Sequence, residues 1–255
     1  MGSHRREIGF SSQKIRYEWV DRAARLCMAG IDEKETSAEI LAMLAPILSD
    51  SGATRRTSRD KVFSILRRIW ISPRPRLVAL RDSGISLLQE LPRDLHVVVH
   101  WGMVMASYPF WADVASEAGR LLRLQETFTA PQVRRRLKEK YGDREIVERA
   151  TRTVLRSFID WEVLKETGRK GAYSRGKKVT VEDHRLISWL VEAWLHSSNN
   201  GSAPLDAVWD SPSLFPFELK RIPGDLIAKG SKRLELLRCG LDHELVTIGD
   251  VGRKR

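Results

Sequence analysis

The chain has 255 residues, with 44 Lys plus Arg against 33 Asp plus Glu and a formal net charge of +11. Eight tryptophans and an apolar fraction of 42% exclude a disordered chain, and two distant cysteines, Cys27 and Cys239, exclude a disulfide scaffold or a four-ligand zinc knuckle. Apolar stretches such as 97–99 and 102–106 fall far short of the roughly 20 residues that cross a bilayer. The opening MGSHRREIG has no apolar run behind its arginines and does not read as a signal peptide, so a cytoplasmic protein is expected.

In chain order, 17–45 reads as helical, with Trp19, Val20, Ala23 and Ala24 ahead of a break at Gly30, and Ile40, Leu41, Leu44 and Leu48 at helical spacing beyond it. Thr57 and Asp60 resemble a capping pair for a helix over 59–70. Val62, Ile65, Leu66, Ile69 and Trp70 form its inner side, and Lys61, Ser64, Arg67 and Arg68 its outer side. Pro73 and Pro75 end it. One or two helical pieces over 77–91 follow, then a largely apolar and hence central helix over 95–105. After Pro109 interrupts, 111–124 is the next helix. About six helices with short connections indicate a bundle and not βαβ units.

The second region has another rhythm. Thr129 can cap a helix that has Pro131 in its first turn, runs to about Tyr141 and stops at Gly142. Asp143 is then expected to cap a helix over 144–161 that buries Ile146, Val147, Ala150, Val154, Phe158 and Trp161. The β-prone pieces 163–166 and 177–181, either side of a Gly-Arg-Lys-Gly turn, predict a two-stranded ribbon. Two helices and a basic ribbon is the winged-helix order. In the last quarter, 182–195 is an amphipathic helix with Leu186, Trp189, Leu190, Ala193 and Trp194 inward, and 214–219, 233–237 and 245–248 are short strand candidates. The expected fold is therefore mostly α: a helical bundle (1–125), a winged-helix-like segment (126–181) and a small mixed α/β C-terminal region (182–255).

The positive charge is concentrated. Residues 55–81 carry nine basic side chains against Asp60 alone, and 134–178 carry fifteen against seven acidic ones, each a net +8. Their sum exceeds the +11 of the whole chain, so the remainder is net acidic. Arg149, Arg152 and Arg156, spaced i, i+3 and i+7, fall within a band of about 60° opposite the apolar face, a row suited to phosphates or guanine edges. Arg134, Arg135, Arg136, Lys138 and Lys140 load the helix before it. Arg169, Lys170, Arg175, Lys177 and Lys178 load the ribbon behind it. Arg55, Arg56, Arg59, Arg67 and Arg68 make a second basic group. Glu145 and Glu148 stand four residues before Arg149 and Arg152, so ion-paired, solvated or protein-binding faces fit the same residues. The scattered, core-facing tryptophans speak against a membrane surface, and Trp70, beside Arg67 and Arg68, is the one candidate for stacking on a base.

No catalytic set is evident. Residues 171–178 follow the spacing of a phosphate-binding loop but end in Lys178 where Ser or Thr holds magnesium, with no helix behind. His96 and His100 share a helix face without a third ligand nearby in sequence, so two ordinary histidines of a bundle helix are expected and no metal. Asp206 and Asp210 form no acidic metal cluster, and neither cysteine has an assignable base.

The helix before Gly30, Thr54-Arg55-Arg56 with the helix from Arg59 to Trp70, the segment Tyr108-Pro109-Phe110-Trp111-Ala112-Asp113-Val114, and Leu155, Phe158 and Val163-Leu164 leading into the basic turn together resemble the BrxA family of BREX phage-defence systems. The resemblance spans roughly 17–180, rests on apolar and basic patterns, and leaves the chain after 181 without an equivalent. It implies a NusB-like bundle with a winged-helix part and DNA binding without catalysis. The expectation is a non-enzymatic double-stranded-DNA-binding protein, without cofactor, that acts as an accessory subunit of a BREX-like defence complex. A scaffold whose basic faces bind acidic partners, an RNA binder and a cryptic nuclease are the alternatives.

Overall fold

A computed structural model describes residues 8–10, 13–48, 57–169, 171–198, 201–238 and 244–249. Arg55, Arg56, Lys170 and Cys239 lie outside them. The chain runs α1 (Tyr17–Met28), α2 (Glu33–Leu44), α3 (Ser58–Leu66), α4 (Val78–Glu90), α5 (His96–Ser107), α6 (Pro109–Leu124), β1 (Thr127–Thr129), α7 (Ala130–Tyr141) and α8 (Glu145–Asp160). It continues through β2 (Leu164–Glu166), β3 (Ala172–Arg175), β4 (Val179–Val181), α9 (His184–Ser197), β5 (Ser202–Pro204), α10 (Leu205–Trp209), β6 (Phe217–Leu219), α11 (Gly224–Gly230), β7 (Leu234–Arg238) and β8 (Glu244–Ile248). The protein is mostly helical, with three small sheets.

Local chemistry sets the helix ends. Asp32 accepts from the Lys34 and Glu35 amides to open α2, and Asp183 accepts from Arg185 and Leu186 to open α9. Thr57 and Asp60 satisfy each other's amides at 3.1 Å, the expected reciprocal cap of α3. Thr129 and Gln132 do the same for α7, which Gly142 ends at φ 79°. Proline at 109 starts α6 instead of breaking it, because the first turn needs no amide donor there. The residues after α3 widen into a π turn, Arg67–Ile71.

Helix α5 is the centre, buried from Val98 to Ser107 without interruption as its apolar run requires. Trp101 is fully buried, stands within 6.2 Å of the rings of Trp111, Phe158, Trp161, Phe215 and Phe217, and donates its indole N–H to the Ser213 carbonyl at 3.2 Å. Helix α9 lies against α5, where Trp189 covers Gly102 and donates to the Leu80 carbonyl at 2.9 Å. One apolar core thus runs from Ile8 to Val246 through all three parts of the chain. The turn Pro212–Leu214 rests on α6 at Gly119, where an added Cβ would overlap the Pro212 carbonyl oxygen. Backbone cannot swing away as a side-chain tip can. Gly119→Ala is therefore expected to cost about 3 kcal/mol, read as a lower urea midpoint.

Four local expectations are corrected. The ribbon pairs β2 with β3, and β1 joins on the far side of β3 to give the order β1-β3-β2, all antiparallel. Residues 179–181 instead pair in parallel with β6, since the Lys177 amide binds the Glu162 carbonyl at 2.6 Å and turns the chain out of the ribbon. Arg144, not Asp143, is the N-cap residue of α8, and Asp143 is held by Lys138 at 2.7 Å. Ile146 is 44% exposed because the packed face of α8 is carried by Val147, Ala150, Val154 and Phe158. Trp70 has no exposure, its ring being enclosed beside His100, and is removed as a base-stacking candidate.

Candidate nucleic-acid interface

Helices α7 and α8 pack through Val133, Leu137 and Tyr141 on one side and Val147, Ala150, Val154 and Phe158 on the other, and both lean on α6. That packing leaves one stripe of α8 to solvent: Glu145, Ile146, Arg149, Arg152 and Arg156. The sheet β1-β3-β2 stands beside it, with Arg169 exposed in the turn that joins β2 to β3.

The predicted arginine row is present, but its charge is largely engaged. Arg149 is ion-paired with Glu145 and Arg152 with Glu148, and Glu148 also receives Arg134 from α7. The Arg152 guanidinium hydrogen-bonded to it, with the Arg134 charge behind, holds the Glu148 carboxyl below its ordinary range. The i, i+4 pairs were legible in the sequence; the Arg134–Glu148 pair required the fold. Arg156 is exposed, with no ion-pair partner among the described residues, and Arg135 is alike. On α7, Lys140 meets Asp113 of α6, and Arg136 lies 3.8 Å from Glu117.

The ribbon residues divide. Arg175 is structural, its guanidinium donating to the carbonyls of Phe215 at 3.3 Å and Leu122 at 3.2 Å. Lys177 and Lys178 are exposed beyond the ribbon, and Lys178 pairs with Glu218 at 3.0 Å. In the other basic group, Arg67 pairs with Glu33 at 2.7 Å, Arg68 lies 4.9 Å over the Tyr108 ring, and Arg59 is half-buried in the first turn of α3.

The segments that carry the two basic groups are linked in two places. The extended segment before α1 bridges them: Gln13 reaches Ser58 at 3.3 Å, the Ile15 amide binds Ser157 at 2.9 Å, and Lys14 pairs with Asp160 at 2.9 Å. A groove of about 720 Å³ is lined by Arg74, Arg120 and Lys140 together with Asp113 and Trp194. Arg74 and Arg120 were not singled out in sequence, because neither has a neighbour there that marks it.

Elsewhere, Asp21 of α1 meets His96 and His100 of α5, with ligand atoms all within 4.8 Å of one another. No helix among the described residues is long and apolar enough to cross a membrane. No protein-family model, curated protein or solved structure matches this chain.

Proposed function

We propose that the protein binds double-stranded DNA through α7, α8 and the β2–β3 turn, as a non-catalytic accessory subunit of a BREX-like phage-defence complex. In this reading α1–α6 form the NusB-like bundle. The succession α6, β1, α7, α8, β2, β3 with sheet order β1-β3-β2 supports reading this part as a winged helix, with α8 as the groove helix and the β2–β3 turn as the wing. The observation that carries it is the solvent-facing stripe of α8, in which Arg149, Arg152 and Arg156 stand with Ile146 and no element among the described residues covers them. Phosphates would displace the surface carboxylates from Arg149 and Arg152, since exposed i, i+4 pairs contribute only about 0.3–0.5 kcal/mol. Arg156 and Arg135 need no displacement. The defence setting rests on the family resemblance alone.

Titration of labelled duplex DNA and structured RNA across a salt series tests the reading. Tighter duplex binding, with a log–log salt slope of several units, is expected; equal or better RNA binding removes the DNA assignment. Glu148→Gln is expected to tighten duplex binding about fivefold at low salt, because it frees Arg134 and Arg152 from one carboxylate. Docking of an acidic partner subunit is the second reading, favoured by the internal pairs that neutralise the α8 stripe while α7 keeps an excess of basic side chains. It predicts duplex affinity no better than that of an unrelated protein of equal charge.

A further inference from the structure

The cluster of Asp21, His96 and His100 was assembled by the fold from two helices, its histidines lying 75 and 79 positions beyond the aspartate in sequence. His96 and His100 are one turn apart on α5, and α1 brings Asp21 onto them. Asp21 is 8% exposed and His100 not at all, while the His96 side chain keeps 12% exposure and forms the solvent edge.

The hydrogen bonds of this cluster leave one imidazole lone pair without a donor. The His96 Nε2 lies 3.1 Å from the Leu91 carbonyl, which only accepts, so Nε2 carries the proton. In a neutral ring Nδ1 is then a bare lone pair, and it faces the Asp21 Oδ1 at 4.0 Å. His100 presents Nε2 to the same oxygen at 3.4 Å, while its buried Nδ1 finds no partner among the described residues. Three ligand atoms therefore converge, with no hydrogen between Asp21 Oδ1 and His96 Nδ1, and His100 ligates through Nε2 when its ring proton sits on Nδ1. Arg25 engages Asp21 through its other oxygen, Oδ2, leaving Oδ1 to the cluster.

We infer that Asp21 Oδ1, His96 Nδ1 and His100 Nε2 form a binding site for a divalent first-row transition cation of the zinc type, joining α1 to α5. Bonds of 2.0–2.1 Å in a tetrahedron place ligand atoms about 3.3 Å apart. The Asp21–His100 separation of 3.4 Å already matches, the Asp21–His96 separation of 4.0 Å needs a shift of about 0.7 Å, and the two imidazole nitrogens, which lie within 4.8 Å of each other, close by the same movement of His96 at the exposed edge. The His96 N–H donated to the Leu91 carbonyl is the outer hydrogen bond that orients metal-binding imidazoles. Two imidazoles and one carboxylate suit zinc, cobalt or nickel and not magnesium or calcium. Three protein ligands leave a fourth position for water on the His96 side.

The test uses the full chain, stripped with a chelator and titrated with Co²⁺ and then Zn²⁺. Visible d–d bands saturating at one equivalent of Co²⁺, their loss on adding Zn²⁺, and a higher Tm with Zn²⁺ are expected. His96→Ala and Asp21→Asn should each weaken binding on the order of 100-fold, and exposed His184→Ala should leave it unchanged. Absence of saturable bands in the unsubstituted protein overturns the inference whatever the variants do. Bands that survive in a folded His96→Ala or Asp21→Asn protein overturn it equally.

Discussion

Replacing Arg149, Arg152 and Arg156 together by alanine is expected to lower duplex affinity by about 10²-fold or more at low salt and to reduce the salt slope by about 2–3 units. The fold should survive, because all three side chains are exposed and the pairs lost are surface pairs. The single variants should rank in an order that bulk charge does not produce. Arg156→Ala should cost the most, since its charge is not offset by a carboxylate, and Arg149→Ala less, since Glu145 already takes part of its field. Exposed Lys220, Lys229 and Lys232 replaced together remove the same charge from another part of the chain and serve as the control. Equal losses for the two triple variants would falsify the assignment of the α8 face.

The largest effect on stability is expected at Glu192 and Arg233. Glu192 of α9 is fully buried and receives Arg233 Nε at 2.6 Å and Nη2 at 3.0 Å, with Ser231 at 2.8 Å. Arg233 also reaches Ser83 of α4 at 2.9 Å, so one guanidinium joins the C-terminal strands to the bundle. Arg233→Ala leaves a buried carboxylate unpaired and should cost about 3–5 kcal/mol, roughly a 10 °C fall in Tm for a chain of this size. The pH dependence has a definite sign. Burial alone pushes the Glu192 carboxyl up, but the His196, Arg233 and Ser231 side chains outweigh it and hold the carboxyl below its ordinary value. Its contribution is present above the unfolded pKa of about 4.3 and is lost as pH falls through the lower folded value. With Arg233 removed burial prevails, so the variant regains stability as acid neutralises the carboxyl. The Tm gap between the two proteins should therefore narrow from pH 7 toward pH 4; a constant gap would show that Glu192 does not carry the effect.

The sequence by itself determined the local order. Thr57 with Asp60, Thr129 with Pro131, and Gly142 mark helix ends because a cap is chemistry within four residues. The apolar run of α5 placed it at the centre, because no face was left to meet water. The basic α7 and the arginine stripe of α8 were likewise legible, since helical period alone sets which residues share a face. Pairings over longer distances were not. The strand that completes the ribbon, the parallel pairing of β4 with β6, and the packing of α9 on α5 depend on which surfaces meet. Ile146 read as core by period alone, yet α8 turned it outward because Val147 and Ala150 fit the α6–α7 side instead. The same holds for charge: composition counts every arginine alike, and only the fold put Glu148 between Arg134 and Arg152 and locked Arg175 onto backbone carbonyls. Asp21 is the sharpest case. Ligand sites need atoms within a few ångströms, and helix packing brings these together across 75 and 79 positions of chain, a distance at which no residue pattern carries the signal.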